Sequence, residues 1–307
     1  MKKTILVTGG SGLVGKAIQS LNMSEYRFIF MDSKQCDLTD YEATRSAFET
    51  IKPTYVIHLA ACVGGLFKNM EQKVKMLEDN LLINAHVLKS CYLVGAEKVI
   101  CCLSTCIFPD KSEHPINETM LHNGPPHSSN EGYAHAKRIL EVQCRLYNQQ
   151  FGTKFICIIP TNIYGPHDNF NLDESHVIPG LIHRCYLAKL KGEPFIVKGS
   201  GRPIRQFIYS IDLATIIMEM VRNYDSTEPV ILSPSEEHSI QDISEMINRH
   251  FGNKVQFDTS YSDGQYKKTA DNARLLSFFP GVRFTSIQDG IARTVEWFKK
   301  EYPSVRK

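Results

Sequence analysis

The stretch "CCLSTCIFPD", residues 101–110, places three thiols and a serine hydroxyl within six positions. Metal binding, a disulfide, packing and catalysis are the four uses open to such a cluster. Cys102 and Cys106 lack a second Cys or His pair with zinc-site spacing, and we expect no metal. The nine cysteines are odd in number and include no C-x-x-C pair, which argues against a disulfide scaffold. Cys101 and Cys102 lie within a predicted strand, where packing is the better account.

A second candidate group is the pair Tyr133 and Lys137 in "EGYAHAK", four residues apart and therefore on one helix face. An ordinary tyrosine has a pKa of about 10 and is a poor acid–base catalyst near neutrality. A neighbouring ammonium favours the phenolate and lowers that pKa toward working pH. If the predicted strand over 98–104 stays extended, Ser104 and Cys106 point to the same side at its carboxyl end. Open α/β sheets bind their ligands at that end of the strands.

The glycines near the N-terminus predict a dinucleotide site between the strand "TILVT" (4–8) and the helix that follows. The G-x-x-G-x-x-G spacing suits a tight turn, a close approach of backbone to a pyrophosphate, and close packing of the helix on the strand. The helix N-terminus then offers free N–H groups to the phosphates. The candidate cofactor-binding residues of this turn are Gly9, Gly10, Ser11, Gly12, Leu13, Val14 and Gly15.

The residues after the second strand bear on the choice between NAD and NADP. Asp32 stands where an acidic side chain would bond a ribose 2′-hydroxyl and repel a 2′-phosphate, which favours NAD. Lys34 would instead pair with that phosphate. Asp37 is predicted to cap the helix that begins near Tyr41, and a contact with the adenine stays open.

Strands alternating with helices predict an α/β fold, a Rossmann-like doubly wound parallel sheet. Further strands are predicted over 27–31, 55–60, 98–104 and 155–160, and helices over 41–51, 70–94 and 131–152. We assign residues 1–160 to a dinucleotide-binding domain. Residues 161–307 are predicted to form mostly a smaller α/β substrate lobe, interleaved with the sheet. The lobe begins with a long polar loop. Its helices are predicted near 178–191, 211–224, 239–251 and 285–300, and its short strands at 195–197, 229–232 and 254–257.

Composition excludes several classes of protein. A formal charge of +2 with no polybasic block argues against nucleic acid or an anionic membrane as partner. The apolar run at the N-terminus is too short for a signal peptide or a membrane span, so we expect a cytoplasmic protein.

Several motifs together resemble the extended short-chain dehydrogenases/reductases, and within them the enzymes that remodel GDP-bound 4-keto sugars. They are "TGGSGLVG", "HLAACVGGL", "LSTCIFPDK", "HNGPPHSSNEGYAHAK", "PTNIYGPHDNFN", "SHVIPGLIHR", "GSGRPIRQFIYSIDLA" and "SDGQYKK". The resemblance covers about residues 4–268. It implies 3,5-epimerisation and then NADPH-dependent 4-reduction of GDP-4-keto-6-deoxy-D-mannose, so that NADP(H) replaces the NAD favoured by Asp32. It also implies a homodimer, which we expect to form through the helices near 70–94 and 132–151.

The resemblance also implies roles for single residues. A 4-keto group acidifies the protons on C3 and C5, and Cys106 and His176 match the base and the acid that exchange them. Ser104, Tyr133 and Lys137 match the catalytic triad. Cofactor contacts are implied for Lys137, Pro160, Thr161, Asn162, Ile163 and His176, besides the glycine turn. Substrate contacts are implied for Arg184, Lys198, Arg205 and Asp263, with the arginines suited to a pyrophosphate. Lys198 stands where bacterial relatives have a tryptophan.

Two other functions are open alternatives. A nucleotide-sugar 4-epimerase or 4,6-dehydratase is the nearest; a dehydratase needs acidic residues beside the serine, where this chain has Cys106. The other is a non-catalytic sensor of NADP(H), which should lack one of Ser104, Tyr133 and Lys137, and all three are present.

Overall fold

A computed structural model describes residues 2–307 of the chain. Its strands are β1 Thr4–Thr8, β2 Arg27–Met31, β3 Tyr55–His58, β4 Lys98–Cys102, β5 Phe155–Pro160, β6 Asn162–Tyr164, β7 Phe195–Lys198, β8 Ile204–Arg205, β9 Phe207–Tyr209, β10 Val230–Leu232, β11 His238–Ser239, β12 Val255–Asp258 and β13 Lys267–Lys268. Its helices are α1 Leu13–Ser20, α2 Tyr41–Ile51, α3 Leu66–Glu71, α4 Lys73–Leu93, α5 Glu131–Phe151, α6 Val177–Lys191, α7 Ser210–Asn223, α8 Ile240–Asn248, α9 Ala273–Phe278 and α10 Ile287–Glu301.

A parallel sheet with the strand order β10-β5-β4-β3-β1-β2 forms the centre of the protein, which confirms the predicted fold class. The strands alternate in the side to which their residues point: Leu6 packs on one face of the sheet, and Ile5 and Val7 pack on the other. Both faces are covered by helices, as buried parallel sheets require. The outermost strand, β10, comes from the second half of the chain and lies beside β5.

Different helices cover the two faces. Helices α2, α4 and α5 bury side chains such as Phe48, Leu88 and Leu140 on one face. Helices α1 and α7 bury Ile18, Leu213 and their neighbours on the other. Because β1, β3 and β4 are clamped from both sides, their carboxyl ends form a rigid edge on which side chains can be positioned.

The remaining elements form a smaller layer with its own apolar core, drawn from α6, α8, α10 and short strands. Three small sheets hold these strands: β6 with β9, β7 with β12, and β8 between β11 and β13. Strands β8 and β13 have only two residues each, so their pairing joins two loops.

Four local predictions differ from the structure. Strand β4 ends at Cys102, because the Ser104 side chain accepts the Cys106 N–H and starts a 3₁₀ turn over Thr105–Ile107. The helix predicted over 70–94 is interrupted at Gln72 into α3 and α4. The cap of α2 is Asp40, whose carboxylate accepts the Ala43 N–H at 3.0 Å, whereas Asp37 accepts from Thr39. The polar loop after Pro160 contains β6.

Three global features complete the description. Across residues 2–307, no helix combines the length and the apolar character needed to cross a bilayer. The nine cysteines are free thiols. The same residues contain no group of three or more His, Cys, Asp or Glu side chains arranged to hold a metal ion.

Candidate functional site

The glycine turn between β1 and α1 leaves no room for side chains. Gly9 has φ +71°, and a Cβ there would lie 2.8 Å from the Ala60 nitrogen. A Cβ on Gly10 would lie 2.7 Å from that of Phe30, and one on Gly15 would lie 2.5 Å from the Gly10 oxygen. Helix α1 begins after Gly12 with no side-chain cap, so its first N–H groups remain available to an anion.

The side chain of Asp32, which follows β2, is held more firmly than the sequence implied. Asp32 accepts the backbone N–H groups of Lys34 and Gln35 at 3.0 and 3.2 Å, which fixes its carboxylate in a local turn. Lys34 is exposed, and its ammonium forms no ion pair with a carboxylate of residues 2–307. Asp32 is therefore a structural residue of this turn, and Lys34 is the free charge beside it.

The carboxyl end of β4 carries a hydroxyl and a thiol. Ser104 and Cys106 are both half-buried, and the Cys106 N–H lies 3.4 Å from the Ser104 oxygen. Burial raises the pKa of the Cys106 thiol, whereas the positive charge of Lys268, the Ser104 hydroxyl and Lys137 lower it. Ser104 and Cys106 thus lie close together, but a 3₁₀ turn brings them there rather than the extended strand that was predicted.

Helix α5 brings Tyr133 and Lys137 to the same place. The Lys137 side chain is 1% exposed, and its ammonium donates to the Cys102 carbonyl at 2.8 Å. It lies 5.8 Å from the centre of the Tyr133 ring. Burial lowers the pKa of Lys137. Burial also raises the pKa of Tyr133 well above its ordinary value, with the thiols of Cys106, Cys102 and Cys62 adding to the effect.

The state of Tyr133 therefore differs from the sequence-based expectation of an easily formed phenolate. The Lys137 ammonium donates its hydrogen bond to the main-chain carbonyl of Cys102 and not to the phenol of Tyr133. Burial then keeps this phenol protonated. A protonated tyrosine in this position is a proton donor.

His176 and the run after β5 belong to other elements. His176 is exposed at the N-terminus of α6, and the surrounding chain and the charge of Arg306 lower its pKa. Pro160 ends β5 next to Leu232, and the Asn162 side chain donates to the Gln206 carbonyl at 2.8 Å, beside Ile163 in β6. Thr161 is buried, and its hydroxyl meets no hydrogen-bond partner in the described chain. Such an orphan hydroxyl is suited to a ligand.

The two predicted anion-binding arginines are half-buried and contact main-chain oxygens. Arg184 donates to the Leu172 carbonyl at 2.9 Å, and Arg205 donates to the carbonyls of Gln265 at 2.6 Å and Ile204 at 2.8 Å. Burial lowers the pKa of both guanidinium groups. Within residues 2–307 neither forms an ion pair with a carboxylate, so the positive charge of each remains uncompensated.

Lys198 and Asp263 lie at the rim of the smaller layer. The exposed Lys198 ammonium sits 4.6 Å from the centre of the Tyr261 ring. Asp263 accepts from the amide and the hydroxyl of Ser200, both at 2.6 Å, and these hydrogen bonds lower its pKa. Asp263 thus holds the loop that follows β7.

Sequence reasoning missed a further set of residues around the thiol. Cys106 lines a small cleft formed by the loop after β4 and the segment around β13. The other lining residues are Phe108, Pro109, Asp110, His114, Ile116, His127, Asn130, Gln265 and Lys268. Lys268 lies in the quoted "SDGQYKK" run. It reaches the cleft because β8 pairs with β13, and this pairing cannot be read from the sequence alone.

Comparisons with known proteins identify the family of this chain. The model of the NAD dependent epimerase/dehydratase family matches residues 5–232. A GDP-L-fucose synthase of Dictyostelium discoideum is 52% identical, over 100% of this chain and 98% of its own length. A probable GDP-L-fucose synthase of Drosophila melanogaster is 47% identical, over 99% and 100%. The solved structure of a GDP-L-fucose synthetase from Naegleria fowleri bound to NADP matches with a TM-score of 0.95 and 48% identity, over 99% of this chain and 95% of that one.

Proposed function

The chain belongs to the NAD dependent epimerase/dehydratase family, and we propose that it is a GDP-L-fucose synthase. It converts GDP-4-keto-6-deoxy-D-mannose to GDP-L-fucose by 3,5-epimerisation followed by NADPH-dependent 4-reduction. The observation that carries the proposal is the Cys106 thiol beside the Ser104 hydroxyl, at the end of β4 that also receives Tyr133. A plain ketone reductase needs no base for the carbons beside the ketone, whereas proton exchange at C3 and C5 requires a base, and a thiolate can serve as one.

The residues present fit NADP(H). The glycine turn and the uncapped N-terminus of α1 suit a pyrophosphate, and the orphan Thr161 hydroxyl suits a polar group of the cofactor. Lys34 is free to pair with the 2′-phosphate, because Asp32 is held by its own turn. Lys137, Pro160, Asn162, Ile163 and His176 complete the proposed cofactor contacts. When bound, NADPH supplies the hydride that reaches C4 of the sugar.

Epimerisation is assigned to Cys106 and His176. The Cys106 sulfur takes a proton from the acidified carbon, and His176 delivers a proton to the opposite face of the same carbon. The lowered pKa of His176 makes its protonated form a stronger acid. Hydrogen bonds from Ser104 and Tyr133 stabilise the negative charge that develops on the C4 oxygen.

Reduction is assigned to Tyr133 with Ser104 and Lys137. The raised pKa of Tyr133 keeps the phenol protonated, so it has a proton to give to the C4 oxygen as the hydride arrives. Lys137, fixed on the Cys102 carbonyl, presents positive charge to the Tyr133 ring as the phenolate forms.

The substrate nucleotide is assigned to the smaller layer. Arg184 and Arg205 carry the uncompensated charge that a pyrophosphate needs. Lys198 lies at the rim, and Asp263 holds the adjoining loop through Ser200. In this proposal the charged part of the substrate lies against the arginines, and the sugar lies toward Cys106.

We propose two further properties of the whole protein. A homodimer through α4 and α5 is supported by exposed apolar side chains on both helices, including Val74, Leu82, Ile139 and Leu146. Size-exclusion chromatography with light scattering tests it, and a monomeric mass contradicts it. A cytosolic location is supported by the nine free thiols, which are typical of a reducing compartment.

The decisive experiment supplies GDP-4-keto-6-deoxy-D-mannose and NADPH and follows the loss of NADPH absorbance. In D₂O, deuterium should enter C3 and C5. We expect Cys106→Ser to lose deuterium entry, whereas Cys185→Ser should keep it, because Cys185 lies on α6 and contacts Asn253 and Asn248. Absence of NADPH oxidation by the unmodified protein would sink the proposal, and normal exchange in Cys106→Ser would remove the role of the thiol.

A further inference from the structure

We propose that Lys268 is a positioning residue of the epimerisation, which holds a positive charge against the Cys106 sulfur so that this sulfur can act as a base. The inference rests on the role proposed above for Cys106. It assigns to Lys268 a function in proton transfer rather than in holding the nucleotide.

The backbone directs Lys268 into the cleft. Strand β13 runs parallel to β8 and places Lys268 beside Arg205. Successive residues of a strand point to opposite sides. Accordingly, the Lys267 ammonium pairs with Glu237 at 2.8 Å, whereas Lys268 lines the cleft with Cys106. Two adjacent lysines thus have different surroundings, one neutralised by a carboxylate and one facing the thiol.

The ammonium of Lys137 and the guanidinium of Arg138, two other cations near Cys106, are directed toward main-chain carbonyls. Lys137 donates to the Cys102 carbonyl at 2.8 Å, and Arg138 donates to the Gly124 carbonyl at 2.6 Å. Over residues 2–307, Lys268 has neither a carboxylate within ion-pair distance nor a hydrogen-bond acceptor. Among the described residues, the Lys268 ammonium is therefore a cation of this cleft that no hydrogen bond directs away from the sulfur.

The remaining titratable groups around the thiol come from three elements. Helix α5 contributes Tyr133, the loop after β4 contributes the acidic Asp110, and β8 contributes Arg205 next to Lys268. The titratable and charged groups around Cys106 and its cleft are Tyr133, Lys137, Arg138, Asp110, His114, His127, Arg205 and Lys268. Asp110 and the two histidines lie on the cleft wall, and Asp110 acts on Lys268 by favouring its charged form.

A charge partner is needed because of where the thiol sits. Burial raises the pKa of Cys106, and a thiol that stays protonated cannot accept a proton from carbon. Lys268 is the strongest of the opposing influences, ahead of Ser104 and Lys137. The effect is mutual: burial lowers the pKa of Lys268, and the Cys106 sulfur favours its charged form. Each group therefore favours the charged form of the other.

The test measures Cys106 in the free protein, without substrate. The rate of alkylation by iodoacetamide is followed against pH, and the peptide containing Cys106 is quantified by mass spectrometry. We expect Lys268→Met to move the alkylation profile of Cys106 upward by about one pH unit or more, so that alkylation at pH 7 slows about tenfold. Lys267→Met is the matched control and should leave the profile in place.

Two internal comparisons keep the result interpretable. Cys62 is partly exposed, and the charges that act on it are Asp79, Lys68 and Lys75, so its alkylation should not respond to Lys268. Lys268→Arg keeps the charge and should restore the Cys106 profile. In turnover, Lys268→Met should slow deuterium entry at C3 and C5 about tenfold at saturating substrate, where a loss of binding alone would have no effect.

An unchanged Cys106 profile in Lys268→Met overturns the inference, even if the Michaelis constant for substrate rises, because Lys268 would then serve the nucleotide only. A profile that stays shifted in Lys268→Arg also overturns it, because shape rather than charge would be responsible. If the unmodified protein fails to oxidise NADPH, the proposed function is wrong, and the alkylation profiles still decide whether Lys268 and Cys106 are coupled.

Discussion

The candidate site has two groups of residues that are constructed differently, a sheet side and a loop side. On one side, Ser104, Cys106, Tyr133 and Lys137 come from the end of one buried strand and the first turns of the helix that packs beside it. On the other side, Arg205, Asp263 and Lys268 come from loops joined by strands of two residues. The packed sheet supports the residues of the first side. The residues of the second side are held mainly by hydrogen bonds with main-chain groups and short turns.

This difference suggests a division of labour. Groups that transfer protons must be held closely, and a sheet clamped by helices on both faces provides such support. Groups that bind a charged nucleotide tolerate looser support, because electrostatic attraction falls off gradually with distance. Substitutions on the sheet side should therefore change rates. On the loop side, substitution of a nucleotide-binding residue such as Arg205 should change affinity, whereas substitution of Lys268 should change the rate, because its charge acts on Cys106.

The largest effect is expected for Tyr133→Phe, which removes the proton donor on the sheet side. NADPH oxidation should fall by about 10²- to 10⁴-fold, the usual contribution of a positioned acid. Deuterium entry at C3 and C5 should fall less, because Ser104 still donates to the C4 oxygen. Tyr147→Phe, on the same helix within an aromatic cluster, is the control and should retain its rate. Equal losses in both variants would contradict a specific role for Tyr133.

The next effect concerns the glycine turn. Gly15→Ala places a Cβ 2.5 Å from the Gly10 oxygen, so α1 must move away from the turn. We expect about 1–3 kcal/mol of destabilisation from overpacking, with NADPH affinity reduced about tenfold or more, measured by thermal unfolding and by fluorescence titration. Gly281→Ala meets no atom within 4 Å and should change neither quantity. Unaltered NADPH binding in Gly15→Ala would argue against this turn as the phosphate site.

On the loop side, Arg205→Met should raise the Michaelis constant for the GDP-sugar about tenfold to a hundredfold, as loss of a charged hydrogen bond does. The maximal rate should stay within a few-fold, measured by steady-state NADPH oxidation. Arg202→Met is the control, because Arg202 is exposed and contacts Ser200. A fall in maximal rate as large as the rise in the Michaelis constant would break the proposed division between the two sides.

The smallest effect tests Asp168, in the loop that runs from β6 toward His176. It is 4% exposed, and one carboxylate oxygen has no hydrogen-bond partner among the residues described. Burial raises the pKa of Asp168 to about 7. The folded protein then binds a proton that the unfolded chain has already lost, so stability declines as pH rises from about 4 to 7.

Asp168→Asn imitates the protonated carboxyl and should remove this decline. We expect the variant to gain about 1–3 kcal/mol at pH 8, where the cost of the buried charge is complete. Near pH 4 the two proteins should be equally stable. Urea unfolding at the two pH values measures both quantities, with the exposed Asp173→Asn as control. A gain of equal size at pH 4 would show that ionisation is not its cause.

Local patterns in the sequence predicted the sheet side well. The turn from Gly9 to Gly15 and the end of α5 at Gly152, which has φ +65°, follow from the needs of single residues. The 3₁₀ turn after Ser104 was missed, because the Ser104 side chain accepts a main-chain N–H and competes with the regular pattern there. The interruption at Gln72 was also missed, since it has no side-chain cap that the sequence could signal.

The loop side was harder to predict for a different reason. Lys268 and Arg205 are neighbours only because two-residue strands pair across more than sixty positions, and such strands leave no periodic signal. The resemblance to a known family predicted substrate contacts for Arg205 and Asp263, but the direction of Lys268 required the structure.

The position of β10 has a consequence for the protein during its synthesis. Strand β5 ends at Pro160, whereas the strand that covers its outer edge, Val230–Leu232, is translated some 70 residues later. At about 5–20 residues per second, the edge of β5 stays open for several seconds on the ribosome. The six residues of β5 are all buried in the finished protein, so during this interval its unpaired edge is open to wrong pairing and to chaperones.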